Sequence, residues 1–179
     1  MWPVLSSRTA YENPWITVRE DVVRRPDASE GIYGVVQLHH PAVFVVAVSD
    51  HDEVLMVWVD RHTVGVSIEV PAGGTDGEDP LVAAQRELWE ESGWTARDWR
   101  PIGTMNALNG VCVAPEYVFL ATGLDREGDA SAAIAQEGIA AQEFVPWSTV
   151  LDWVASGRIT DGETVAALLY AALALGRVS

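Results

Sequence analysis

Between Glu69 and Trp94 the chain reads EVPAGGTDGEDPLVAAQRELWEESGW: a Gly-rich turn, a helix-start signal, then a helix carrying Glu87, Glu90 and Glu91. At about 100° per residue those three carboxylates fall within roughly 100° of arc. Leu81, Ala84 and Leu88 form a neighbouring apolar stripe that can face a core. Three acids on one stripe repel each other and cost stability unless a cation sits among them. Carboxylate oxygens are hard ligands, so the pattern points to Mg²⁺ or Mn²⁺ rather than zinc. The plain alternative is a solvated acidic helix face, which a chain this acidic supplies readily.

The rest of the composition narrows the function classes. A formal net charge of −15 argues against a nucleic-acid backbone as partner, because nothing neutralises phosphates in bulk. It leaves room for a small phosphorylated substrate held by a metal and one or two arginines. The single cysteine, Cys112, excludes an intramolecular disulfide and a multi-cysteine metal site. No stretch is long and apolar enough to span a membrane. MWPVLSS lacks the basic start and apolar run of a signal peptide. These features together lead to the expectation of a cytoplasmic protein with no membrane partner. A length of 179 residues suits one domain with a sizeable core.

Along the chain, Tyr11 to Arg25 reads as extended, with Asn13-Pro14 turning the chain. Ile32 to His39 is its expected hairpin partner. Ala42 to Val48 is a continuous apolar run, as a strand buried on both faces requires. Strands are also expected at Val54–Val59, Val66–Val70, Arg97–Met105, Glu116–Ala121 and Gln142–Val145. Thr122 to Gly138 reads as a mobile loop. Ser148 is expected to cap a short helix ended by Gly157, and Asp161 a second one running to about Leu175. Strands packed around two or three helices give an α+β fold.

The central stretch resembles the signature of the Nudix hydrolases, G-x5-E-x7-R-E-U-x-E-E-x-G-U with U a bulky apolar residue. Glu78, seven residues, then Arg86-Glu87-Leu88-Trp89-Glu90-Glu91-Ser92-Gly93-Trp94 match it position by position. The first glycine departs: the pattern requires it at Ala72, whereas Gly73 lies only five residues before Glu78, so the loop reads as one residue short. The resemblance implies an α/β/α sandwich with a mixed central sheet. The flanks look like the branch that hydrolyses ADP-ribose and related nucleoside diphosphate sugars. Glu69-Val70-Pro71-Ala72-Gly73 stands at its E-x-P-A-G, and Gly157 to Thr164 resembles its G-x-I-x-D-x-x-T. Residues 1–40 look like the extra N-terminal hairpin through which that branch forms intertwined homodimers.

The resemblance also implies roles. Glu87, Glu90, Glu91 and the Ala72 carbonyl are the expected metal ligands, for Mg²⁺ with Mn²⁺ as a substitute. Arg86 orients a carboxylate, and Glu78 and Glu116 support the ligands from outside. Glu137, in the loop before the last strand, is the expected general base. Trp15 and Tyr33, read as one on each hairpin strand, would stack the base of the nucleotide, and Arg61 would pair with a phosphate. The implied reaction is hydrolysis of ADP-ribose or a related nucleoside diphosphate sugar to a nucleoside monophosphate and a sugar phosphate. The alternatives are another activity of the family (NADH, dinucleoside polyphosphates or oxidised nucleoside triphosphates) and a nucleotide-sensing module that does not cut.

Overall fold

Two short turns set up the start of the chain. β1 (Val4–Glu12), β2 (Ile16–Arg24) and β3 (Glu30–Leu38) pair antiparallel in sequence order. Asn13 makes the first turn by accepting the amides of Trp15 and Ile16 on Oδ1, both at 2.9 Å. The second spans Arg25 to Ser29, with Ala28 at a positive φ of 65°. The hairpin expected from sequence is therefore present, but a third strand, β1, precedes it. Every β1 residue is exposed, so this strand has no buried face within the chain. These positions come from a computed structural model that describes residues 1–178.

Next come β4 (Ala42–Ala47), β5 (Glu53–Arg61), β6 (Gly65–Glu69), β7 (Ala72–Gly74) and α1 (Pro80–Ser92). β8 (Trp94–Asn106), β9 (Cys112–Val113), β10 (Pro115–Arg126) and α2 (Ser131–Gln136) follow. The chain closes with β11 (Ile139–Pro146), α3 (Trp147–Ala155) and α4 (Gly162–Ala174). The central sheet runs β7-β4-β10-β8 and is mixed, since β4 and β10 are parallel and the outer pairs antiparallel. A second sheet runs β11-β5-β6, and β9 joins β3 at the edge of the N-terminal one.

β4 explains why its sequence is apolar throughout. Val43, Val45 and Ala47 pack with Ala83, Ala84 and Leu88 of α1. Phe44 and Val46 face the other way, joining Val118, Val150 and Leu168 under α3 and α4. Both faces are covered, so alternation disappears. Helices thus flank the strands on two sides, giving the expected α+β layered architecture.

Two local expectations are corrected. The stretch from Thr122 to Gly138 is not one loop: β10 continues to Arg126, and Ser131 to Gln136 form α2. α2 buries no residue, so its small side chains carry no helical stripe for a reader to find. α3 starts at Trp147 behind Pro146, and Ser148 makes no cap; the fixed φ of proline sets the helix entry instead. Asp161 does cap α4, accepting the Thr164 amide at 2.7 Å. Among the described residues no helix is long and apolar enough to cross a membrane.

Candidate active site

The acidic helix is fixed at both ends by backbone chemistry. Asp79 Oδ1 accepts the Leu81 amide at 2.9 Å, and Pro80 opens the helix, where its missing N–H costs nothing. Gly93 closes it in the left-handed conformation, φ 70°. Between β7 and the helix, the short loop closes as a tight turn. The Glu78 amide donates to the Thr75 carbonyl at 2.8 Å, across Asp76 at φ 50° and Gly77 at φ 87°. These are type I′ φ values, which Asp-Gly favours. The loop thus closes with the one residue fewer that the sequence indicated.

That turn brings β7 against the helix. The Ala72 amide donates to Glu91 Oε2 at 3.1 Å, and Ala72 pairs with Phe44 on the central sheet. Glu87 lies against Gly73, where a Cβ would run into its carboxylate. Arg86 gathers the remaining acids. Its Nε donates to Glu78 at 2.9 Å, its Nη1 to Glu87 at 2.7 Å and Glu90 at 2.9 Å, and its Nη2 to the Gly74 carbonyl at 2.8 Å. Among the described residues no three acidic, histidine or cysteine side chains stand at mutual metal-ligand spacing. Arg86 Nη1 bridges Glu87 and Glu90.

Electrostatics explain what this arrangement is suited to hold. Burial pushes the Glu91 carboxyl up to about 8; the Ala72 amide pulls it down, and the Glu87 charge adds to the rise. Burial likewise raises Glu87 to about 7, opposed by Arg86 and reinforced by Glu90 and Glu137. Burial works against the Arg86 charge, yet hydrogen bonds to Glu78 and Glu90 and the Glu87 charge leave its pKa raised. Two buried carboxyls that resist ionisation, packed against the Ala72–Gly74 loop, suit a hard divalent cation, whose charge reverses the desolvation cost.

A cavity of about 640 Å³ opens on the other side of the Ala72–Gly74 loop. Trp15, Arg61, Glu69, Ala72, Asp161 and Glu163 are among its walls. Trp15 sits in the β1–β2 turn rather than on a strand and is 72% exposed. Arg61 donates to Glu69 from Nε at 3.1 Å and Nη2 at 2.6 Å, a bidentate pair. Glu116 also lines the cavity. Tyr33 does not. It donates to the Gly110 carbonyl and meets Trp2 edge-on in a separate pocket of the N-terminal sheet. The two aromatics expected to stack a base therefore do not share a cavity within one chain. Glu137 caps the C-terminal end of α2, exposed, and near enough to Glu87 to raise its pKa.

Residues 38–168 match the NUDIX domain, which covers most of the chain and includes the whole box. The chain is a Nudix hydrolase. Residues 2–36 match the nucleoside diphosphate sugar hydrolase N-terminal domain. The chain is 33% identical over 168 residues to the ADP-ribose pyrophosphatase of Mycobacterium tuberculosis, covering 92% of this chain and 80% of that one. It is 32% identical over 114 residues to the GDP-mannose pyrophosphatase of Salmonella typhimurium, covering 63% and 59% respectively. A solved structure described as an ADP compounds hydrolase superposes with a TM-score of 0.82 at 22% identity, spanning 99% of this chain and 97% of that one, which shows the fold.

Within this Nudix frame, the cavity also takes in Glu69, Asp161 and Glu163, to which the sequence alone assigns no part in the site. All three lie inside the E-x-P-A-G and G-x-I-x-D-x-x-T segments, Glu69 and Asp161 at fixed positions and Glu163 at a variable one. The structure also shows why those segments go together. The Val70 amide donates to Thr164 Oγ1 at 3.2 Å, and Thr164 is fully buried. The cap of α4 and the strand feeding the box are one hydrogen-bonded unit.

Proposed function

We propose that this Nudix enzyme hydrolyses ADP-ribose or a related nucleoside diphosphate sugar, with Mg²⁺, to a nucleoside monophosphate and a sugar phosphate. The observation that carries the reading is the single cavity shared by Trp15, Arg61 and the Ala72–Gly74 loop, with Glu87 packed directly behind Gly73. The relatives named for ADP-ribose and GDP-mannose pyrophosphatase activity support the substrate class.

In this reading Glu87, Glu90, Glu91 and the Ala72 carbonyl hold the cation. When bound, it supplies charge neutralisation on the phosphoryl oxygens. Arg86 positions Glu87 and Glu90 by its two Nη1 hydrogen bonds, and Glu78 anchors Arg86 in turn. Arg61 has two nitrogens engaged by Glu69 and offers its third to a phosphate oxygen. Trp15 offers a face for the base, worth on the order of 1–3 kcal/mol. Glu137 takes the proton of the attacking water. The N-terminal sheet pairs two copies, and the enzyme works as a homodimer in the cytoplasm.

The test is turnover of a nucleotide panel with Mg²⁺ and with Mn²⁺, repeated on Glu91→Gln. The expected outcome is metal-dependent release of AMP from ADP-ribose, reduced by about 10³-fold or more in the variant. Metal-independent turnover, or a variant as fast as the parent, would overturn the mechanism. Preference for NADH, dinucleoside polyphosphates or oxidised triphosphates would move the substrate elsewhere within the family.

A further inference from the structure

Ser67 is a polar residue on the cavity wall with nothing to bind. It is 8% exposed, and among the described residues its hydroxyl makes no hydrogen bond. A hydroxyl taken this far from water without a partner costs stability, and most buried polar atoms avoid it. Its neighbour Glu69, buried on the same strand, is satisfied by Arg61. Unlike Gln142 Oε1, which also lacks a partner but is sealed in protein, the Ser67 oxygen is open to the cavity. A ligand in that space can reach it.

Register places the neighbours of this hydroxyl. Ser67 of β6 pairs with Val59 of β5, between the Arg61–Gly65 pair and the Val57–Glu69 pair. Paired residues share a face, as do residues two apart on one strand, so Arg61, Ser67 and Glu69 project from the same side. Arg61 reaches Glu69 at 2.6 Å and has to cross the Ser67 row to do so. Gly65 has no side chain and Ser67 a small one, which leaves that path open. Glu69 holds Nε and Nη2, so Nη1 is the nitrogen left free beside Ser67. The plainer role for Ser67 is to be small at this point. Alanine would serve that role equally and would leave no hydroxyl unpaired.

Charge selects the ligand. Carboxylates line much of the cavity, and among the described residues Arg61 is the one arginine or lysine on its walls. An anionic group of the substrate therefore settles beside Arg61. We infer that Ser67 is a further phosphate-binding residue: its hydroxyl and the free Nη1 of Arg61 donate to one phosphate of the substrate's diphosphate. This rests on the proposed hydrolysis of nucleoside diphosphate sugars. The phosphate supplies the acceptor that the hydroxyl lacks, and donors from two neighbouring strands fix its orientation.

The experiment titrates ADP and adenosine into the parent and Ser67→Ala by calorimetry with Mg²⁺, and measures turnover of ADP-ribose on the same preparations. Alanine keeps the space for Arg61 and removes only the hydroxyl. In Ser67→Ala, affinity for ADP and kcat/KM for ADP-ribose are each expected to fall about 10- to 100-fold, the size of one hydrogen bond to a charged group. Affinity for adenosine is expected to stay unchanged. A variant that binds ADP as the parent does overturns the inference and leaves Ser67 a spacer. Equal losses for ADP and adenosine overturn it too, because a structural defect acts on both. A parent that turns over ADP-ribose yet binds ADP no better than adenosine keeps the proposed function and overturns the phosphate contact. A parent that neither binds ADP nor turns over ADP-ribose overturns both.

Discussion

The Ala72 amide donates to Glu91 Oε2 at 3.1 Å, so the loop and the helix of the Nudix box are joined directly by one backbone-to-carboxylate hydrogen bond. This contact aims one buried acid while Arg86 aims two others, and the geometry of all three depends on how closely β7 approaches the helix.

That approach depends on Gly73. A methyl at this position meets the Glu87 carboxylate, whereas at Gly74 it makes only ordinary contact with Asp76 at 3.4 Å. Gly73→Ala is expected to lower kcat by about 10²-fold, the usual cost of displacing a catalytic group by an ångström. Gly74→Ala is expected to stay within about threefold of the parent. Steady-state kinetics on both variants decides it, and equal effects at the two sites would show that the packing against Glu87 is unimportant.

Glu87 and Glu91 also give the protein a pH signature. Their folded-state pKa values, about 7 and about 8, lie above the ordinary 4.5. The folded state therefore holds protons that the unfolded state releases, and stability falls as pH rises through this window. The contribution is fully present below about pH 4.5 and lost by about pH 8. Melting in EDTA is expected to show Tm declining from pH 5 to 8.5, with a flatter profile in Glu91→Gln. Added Mg²⁺ at pH 8 is expected to raise Tm in the parent by mass action and much less in the variant. Identical pH profiles for the two proteins would remove this account.

Thr164 tests the link between the last helix and the box. Thr164→Val keeps the shape but leaves the buried Val70 amide without its acceptor. The cost is about 1–3 kcal/mol, with each kcal/mol lowering Tm by roughly 2–4 °C at this size. Thermal unfolding measures it directly, and an unchanged Tm would mean that water replaces the hydroxyl.

The N-terminal sheet makes the prediction about assembly. Val4, Leu5 and Tyr11 of β1 are 52%, 44% and 55% exposed, more apolar surface than a free strand ordinarily presents to water. The parent is expected to sediment as a dimer, and Val4→Asp with Leu5→Asp to shift it toward monomer. A parent that is monomeric at assay concentration would refute the proposed pairing.

How far the sequence reveals this molecule depends on whether a signal is local. β4 is legible because both its faces are buried, and α1 and α4 because Asp79-Pro80, Gly93 and Asp161 are local cap chemistry. β1 is illegible because none of its residues is buried within the chain, and alternation arises only where one face is. α2 is illegible because small residues that pack against little leave no stripe. Within the site, the helix acids and Arg86 could be read from spacing alone. The cavity wall of Glu116, Asp161 and Glu163 could not, since it is assembled from β10 and the start of α4, and only the fold brings them together. Tyr33 shows the converse, for its position on the hairpin matched the expectation while the sheet carried its ring to another pocket.

Val70 and Thr164 stand 94 positions apart, and that separation has a meaning in time. A chain leaving the ribosome presents the whole box helix long before α4 exists to supply the acceptor for Val70. The cavity lacks its Asp161–Glu163 wall over the same interval. Completion of the cavity is thus tied to synthesis of the last helix, so a prematurely terminated product carries the box and has no finished cavity beside it.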